Sequence, residues 1–421
     1  MTAENNFFNT IVHQETSERS GGMLSEKLLE RYAEVLIWGL NTARKKRCKK
    51  GDIVQVRFDI PAIRLAEILQ RKLIERGINP ILRSGLTPDM EKNFYGLSDK
   101  KQLTFLTPGD RELCEHINGN IYLYAPASLT HLRDVDPKRI AVATVARKAL
   151  KDILDRRDSE GTFGWTLCMM PTYELAMQAK LTTDQYEKQV ARACYLDSDD
   201  PVREWEAIYG AVSGIKKWLN GMKVAFYHVE GKNVDLKITP GRNRRWVGIS
   251  GHNIPSFEIF LSPDGRGTEG RYVANMPSFR SGNYVAGVVL DFHKGIGSVV
   301  RADEGEEFTR KQIAMDEGAS RIGEFSLTDR RFSRIDRFMA NTLYDENFGG
   351  KYGNCHIAFG SSYADSYSKN PADLTPAMKK DLGFNDSALH WDLVNTEPKT
   401  VTAQLATGKR VLVYDNGVFK Y

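Results

Sequence analysis

Asp52-Ile53-Val54-Gln55-Val56-Arg57-Phe58, followed by the amphipathic run Ala62–Arg76 and by Ile78–Arg83, is the stretch on which the fold turns. The first segment is strand-like through Ile53, Val54 and Val56. The second repeats apolar residues at helical spacing. The third reads as a weaker strand, and Pro80 confines it to a sheet edge, because proline has no N–H to give a ladder. Upstream, Leu28, Tyr32, Leu36 and Leu40 lie at helical spacing, and that helix ends near Asn41. Helix, strand, helix, strand at these intervals predicts an open α/β sheet with crossover helices. Asn120–Tyr124 and Arg139–Thr144 read as further strands. Thr182–Cys194 reads as a helix capped by Thr182 or Thr183, and Glu204–Lys223 as another that leads out of this first unit.

From Lys223 onward short strands and glycine turns dominate. Val224–Val229, Asp235–Ile238, Trp246–Ser250, Glu258–Leu261 and Tyr284–Phe292 read as strands, and Asn253-Ile254-Pro255 as a turn. Helices are expected at Glu306–Glu317 and Ser333–Leu343. A terminal hairpin joins Thr400–Leu405 to Arg410–Tyr414 through Thr407-Gly408. The expected architecture is therefore α+β with two domains. Residues 1–222 form an open α/β sheet domain that begins with an irregular polar arm, residues 1–23. Residues 223–421 form a mostly antiparallel β domain with a few helices.

A chain of 421 residues, 41% of them hydrophobic, is long for a single core and agrees with two units. A net charge of +5 is modest for this length and argues against nucleic acid as the main ligand. Five cysteines without a CxxC pair, and no secretory pattern, point to free thiols in a reducing cytoplasm. No apolar run approaches the length of a membrane span.

The chemistry lies in the second half. His390-Trp391-Asp392 sits inside the apolar run Ala388–Val394. Alternation on a strand turns His390 and Asp392 to one face, and Leu389, Trp391 and Leu393 to the other. Such a pair is costly to bury unless something pairs it, either an internal hydrogen bond or a divalent cation. The pattern recurs. Phe257-Glu258-Ile259, Gly323-Glu324-Phe325 and Cys355-His356-Ile357 each set one ligand-type side chain among apolar neighbours. Crowded carboxylates repel or stay protonated unless cations neutralise them. Several carboxylates with two histidines exceed what one zinc ion usually takes, so a two-metal site is the natural reading. Tyr363 follows where the strand at His356 ends; a phenol there could donate to an oxyanion, but the residues alone favour an ordinary turn tyrosine.

Other features carry less. The basic run Lys45–Lys50 precedes a strand and reads as a solvated loop. Gly349–Gly353 lacks P-loop spacing. Alternation separates Cys355 from His356, which disfavours a Cys–His nucleophile. His13, His116, His131, His228 and His293 belong to no comparable cluster, while His252 lies close enough in sequence to Glu258 to approach it.

Taken together, Asn253–Phe260, Gly323-Glu324-Phe325, Asp345-Glu346-Asn347, His356-Ile357-Ala358 with Gly360 and Tyr363, and His390-Trp391-Asp392 resemble the dinuclear metalloaminopeptidases typified by aminopeptidases T and S, the thermophilic aminopeptidase family. Their order and spacing agree. The resemblance implies a two-domain subunit, a homodimer, peptide substrates, and Glu258, Glu324, Glu346, His356, His390 and Asp392 as metal ligands. It further implies that Glu324 bridges the ions or stands beside the attacking water, and that Tyr363 is the catalytic tyrosine. Glu346 rests on the resemblance alone. The chain departs from the family at Phe348–Asn354, a lengthened link that could move Glu346, and at Phe257, where many members carry a second acid. Zinc or cobalt is the first expectation for the two divalent ions, with manganese or magnesium as alternatives. The expected activity is removal of the N-terminal residue from peptides. The rival readings are a two-metal phosphoesterase, with Arg330, Arg331 and Arg334 as phosphate partners, and a non-catalytic, metal-containing peptide-binding protein.

Overall fold

The computed structural model describes residues 24–44 and 46–421, so the expected arm, His13 and Lys45 lie outside the described residues. Strands are numbered along the chain: β1 Ile53–Phe58, β2 Asn79–Ser84, β3 Gly119–Tyr124, β4 Trp165–Met169, β5 Val224–Gly231, β6 Asp235–Ile238, β7 Asn253–Ile254, β8 Glu258–Leu261, β9 Thr268–Ala274 and β10 Ser278–Arg280. There follow β11 Asn283–Val285, β12 Val288–His293, β13 Ile296–Arg301, β14 Ile322–Thr328, β15 Asn354–Gly360, β16 His390–Asn395, β17 Lys399–Leu405, β18 Arg410–Asp415 and β19 Val418–Phe419.

The first half builds a parallel sheet in the order β2-β1-β3-β4-β7. Pro80 lies on β2, at the edge, where its missing N–H costs no ladder bond. The helix Glu26–Ala43 buries Tyr32, Leu36 and Leu40 of the spacing read in the sequence, while Leu28 is only partly buried and its neighbour Leu29 enters the core. It meets the chain ahead of β7 closely. Gly251, at φ +86°, leaves no room for a Cβ against the carbonyl oxygen of Gly39. Asn253–Ile254, expected as a turn, is the sheet's last strand. Thr182 caps the helix Thr183–Ala193 in a box with Gln185, which satisfies two orphan amides at once.

The second half is antiparallel. One sheet runs β13-β12-β9-β6-β5-β17-β18-β19 and a second β16-β15-β14-β8. They pack face to face. Phe359 stacks on Phe292 at 5.7 Å, Phe325 approaches Tyr227 at 6.2 Å, and the Tyr272 hydroxyl reaches the carbonyls of Cys355 and Leu393. The apolar alternates of the four-stranded sheet are thus spent on this core, and its other face is left for chemistry.

Four local expectations fail for identifiable reasons. Arg139–Thr144 is not a strand but part of the helix Pro137–Ser159. Asp136 caps that helix with Pro137 in its first turn, and the pairs Lys148–Asp152 and Lys151–Asp155 line its exposed side. Ser333–Leu343 forms no continuous helix, because the Asp345 carboxylate captures the amides of Met339 and Asn341 and leaves only a short helix at Thr342–Asp345. Trp246–Ser250 contributes a single bridge, Val247 to Phe260. Tyr284–Phe292 is split between β11 and β12 at Gly287, whose φ of +63° breaks the extended run. No helix among the described residues is long and apolar enough to cross a membrane.

Candidate metal centre

The registers of the four-stranded sheet determine what shares its open face. In antiparallel pairing, directly opposed residues project to the same side. Glu258 opposes Thr328, Ser326 opposes His356, Glu324 and Asp392 each oppose Ala358, and Gly360 opposes His390. Glu258, Glu324, His356, His390 and Asp392 therefore share one face, contributed by four different strands. The positions between them are Ser326, Thr328, Ala358 and Gly360. Small side chains there leave space above the sheet.

The distances close the cluster. His356 Nε2 lies 2.9 Å from Glu324 Oε1, 3.4 Å from Glu258 Oε2 and 3.9 Å from Asp392 Oδ1. His390 Nε2 lies 3.5 Å from Asp392 Oδ1 and 3.9 Å from Glu324 Oε2. Its other nitrogen, Nδ1, is held by the Ser361 carbonyl at 3.1 Å, which turns Nε2 toward the acids. Donor atoms of Glu258, Glu324 and His356 fall within 4.8 Å of one another.

Glu346 arrives from outside the sheet, directly after the short helix Thr342–Asp345, and is buried. It lines a small cavity together with Asp392, and the charge of Glu258 acts on it. Asn354 folds the lengthened link back by donating to the carbonyls of Glu346 and Phe348. The Phe257 ring is buried against Trp205 at 5.2 Å. Tyr363 stands at the rim, 45% exposed, with its ring 4.8 Å from that of His390.

Electrostatics show a site short of positive charge. Burial, reinforced by Glu324, pushes Glu258 up to about 8. Burial and the charge of Glu258 lift Glu346 well above the carboxylate range. For His356, burial opposes protonation, yet the hydrogen bond and charge of Glu324 hold its pKa up to about 9. His390 is likewise held up to about 9 against burial by Asp392. Burial would raise Asp392, but His390 keeps it low. Burial and the surrounding carboxylates raise the Tyr363 phenol well above 10, so it remains a donor at neutral pH. Four ionised carboxylates would outweigh even two protonated imidazoles, and in the absence of further positive charge Glu258 and Glu346 are held in the protonated form. A mixed nitrogen and oxygen donor set and a cluster of buried acids that lack positive charge fit divalent cations. Cys355 is buried on the opposite face and pushed up to about 12 by burial, so no thiolate joins the set.

Two supporting residues carry no signal in the alternation pattern. The Asn347 side chain accepts from the amides of Phe257 (2.5 Å) and Glu258 (3.0 Å) and donates to Leu343 O (2.9 Å), which ties the Glu346 segment to β8. Arg280 donates to the His390 carbonyl at 2.8 Å. His252 does not approach the centre; it packs on Trp165 at 4.5 Å and pairs with Ser250. His228 and His293 pair with acids elsewhere. Arg331 is paired with Asp329, and Arg334 with Asp197.

The chain is similar to known proteins over most of its length. A family model described as thermophilic metalloprotease (M29) matches residues 25–419. Aminopeptidase T of Thermus aquaticus is 28% identical over 60% of this chain, a match that spans 62% of that protein. Aminopeptidase T of Thermus thermophilus is 27% identical over 68% of this chain and 72% of its own length. Aminopeptidase 2 of Geobacillus stearothermophilus is 27% identical over 73% of this chain and 77% of its own. The solved structure of wild-type AmpT from Thermus thermophilus superposes with a TM-score of 0.75, covering 94% of this chain and all of that one at 22% identity, a likeness of fold.

Proposed function

For a chain that belongs to the thermophilic metalloprotease (M29) family, we propose a metal-dependent aminopeptidase that removes the N-terminal residue from peptides at the carboxylate–histidine centre. The observation that carries this reading is the convergence of Glu258, Glu324, His356, His390 and Asp392 from four strands onto one buried face, with Glu346 beside them. These six residues would hold two divalent ions, with zinc or cobalt the first choice. Bound there, the ions would supply Lewis acidity toward the scissile carbonyl and lower the pKa of the attacking water.

The protein's own groups do the rest. Glu324, in the middle of the cluster, accepts the water's proton and returns it to the leaving amine. Tyr363, at the rim with a firmly protonated phenol, donates a hydrogen bond to the developing oxyanion. Ser361 fixes the tautomer and direction of His390. The acid-rich pocket attracts the ammonium of a peptide N-terminus, which favours removal of terminal residues over internal cleavage. A phosphoesterase is the weaker reading, because two of the three arginines that follow Glu324, Arg331 and Arg334, are paired with Asp329 and Asp197. The homodimer and the boundary between residues 222 and 223 belong to the same proposal; light scattering and limited proteolysis test them.

The deciding experiment is release of leucine from leucyl-p-nitroanilide and short peptides, after chelation and after single metals are added back. Loss with chelator and recovery with a divalent ion is expected. A folded protein that stays inactive with every metal, or hydrolyses a phosphate ester instead, overturns the proposal.

A further inference from the structure

The parallel sheet has its own crevice. From β1 the chain crosses to β2 on one side, and from β2 it passes back over β1 to reach β3 on the other. Connections diverging in this way open a gap at the carboxyl ends of β1 and β3, where open α/β sheets bind ligands. A cavity of about 1240 Å³ occupies that position, with Asp59 from the end of β1, Gly85 from the end of β2 and Ala125 from the end of β3 in its wall. None of the six candidate metal ligands lines it.

Its charged groups are of both signs: Arg57 and Arg147 lie over the rings of Tyr122 (5.2 Å) and Phe94 (5.5 Å), and the carboxylates of Asp59 and Glu91 are the acceptors between them. The Asp59 carboxylate takes the Ala125 amide at 2.8 Å and the Tyr122 hydroxyl at 3.4 Å, and makes no ion pair among the described residues. Burial lifts its pKa, and the charge of Glu91 adds to that. Glu91 pairs with His131 Nε2 at 2.6 Å. Tyr122 and Tyr124 lie together with ring centroids 6.1 Å apart, and with Arg57 over Tyr122 it is Tyr124 that adds an aromatic face to the wall. Apolar side chains stand open at the wall: Leu86 is 55% exposed and Val145 70%. The lysines at the rim, Lys148 and Lys151, are paired with Asp152 and Asp155 on their own helix, so they offer little to an anion.

We propose that this crevice is a second ligand site, distinct from the carboxylate–histidine centre, for a primary ammonium carried on an apolar body. The ammonium sits between the Asp59 and Glu91 carboxylates, and the apolar body lies against Tyr124, Leu86 and Val145. A free hydrophobic amino acid and the N-terminus of a short peptide both present this chemistry.

Calorimetric titration of the full-length protein with 3-methylbutylamine tests the site, with N-acetylleucinamide as the control that lacks an ammonium. The wild type is expected to bind the amine and not the acetylated control. Asp59→Asn keeps an acceptor for Ala125 but loses the charge, and Val145→Trp fills the cavity from an exposed helix position. Each is expected to weaken amine binding at least tenfold while leaving leucyl-p-nitroanilide turnover at the wild-type level. Leucine and leucinamide titrated in parallel separate the two sources: tighter leucine indicates a free amino acid, tighter leucinamide a peptide N-terminus. Absence of binding by the wild type, or wild-type affinity in both variants, overturns the site and leaves the reading of the metal centre untouched.

Discussion

The phenol of Tyr363 lies within the field of the four carboxylates, and the role proposed for it reduces to one O–H. Tyr363→Phe removes that donor without changing shape at a half-exposed position. The expected result is a fall in kcat of about 10²–10³, the usual effect of losing an oxyanion donor, with metal content and melting temperature unchanged. Undiminished turnover would remove Tyr363 from the mechanism. Glu324→Gln keeps the volume and loses the base. Its kcat is expected to drop by at least about 10²–10⁴ with the fold intact by circular dichroism, and near-wild-type turnover would reassign the proton acceptor. At this scale the sequence is legible for a physical reason. A strand displays alternate residues on opposite faces, so a lone Glu or His between apolar neighbours declares which side it occupies. His390, Asp392, Glu258, Glu324 and His356 announce themselves this way. Glu346 does not, because it sits at the end of a short helix where no period of two exists. Asn347 and Arg280 stay hidden because their partners are backbone groups distant in the chain.

Among elements, the segment Thr342–Asn354 depends most on tertiary contact. Asp345, Asn347 and Asn354 replace helix hydrogen bonds with side-chain bonds to backbone, and together they seat Glu346 against β8. Asn347→Ala strands the amides of Phe257 and Glu258, a cost of about 1–3 kcal/mol. A lower melting temperature accompanied by weaker metal retention on dialysis is the expected outcome. A variant that melts earlier yet keeps its metal as tightly as the wild type would show that Asn347 braces the fold without positioning Glu258. The misread elements share this cause. Ser333–Leu343 has helical spacing, but a buried carboxylate from outside it captures its amides. In Arg139–Thr144 the short alternation of Ile140, Val142 and Thr144 competes with a cap and proline just upstream, and the longer-range helical signals win.

Over the whole molecule, the eight-stranded sheet serves as the platform on which the four-stranded sheet lays its apolar side, and one lysine is buried in that region. Lys399 is 2% exposed, its Nζ has no partner among the described residues, and burial pulls its pKa down to about 8, with the Cys355 thiol and Glu397 acting weakly the other way. Below pH 8 the folded state carries a buried ammonium at a cost. As pH rises from about 8 to 10.5, the folded state releases its proton before the unfolded state does, and the penalty fades. Lys399→Met is therefore expected to stabilise the protein by up to about 3 kcal/mol at pH 7, with the gain shrinking through pH 8–10.5. Denaturant melts across that range would contradict this if the difference stayed constant. The sequence by itself determined two things here: the class of each half, through local period and turn chemistry, and the list of ligand-type residues turned away from the apolar core. Both are short-range properties, written in the spacing of neighbours. Tertiary structure alone decided the pairing order β16-β15-β14-β8 that collects those residues on one face, the placement of Glu346, and the crevice at the ends of β1 and β3. These depend on which distant strands meet and in what register. Register is settled only when both faces of a sheet are satisfied at once, the apolar side against its partner sheet and the charged side around its cations.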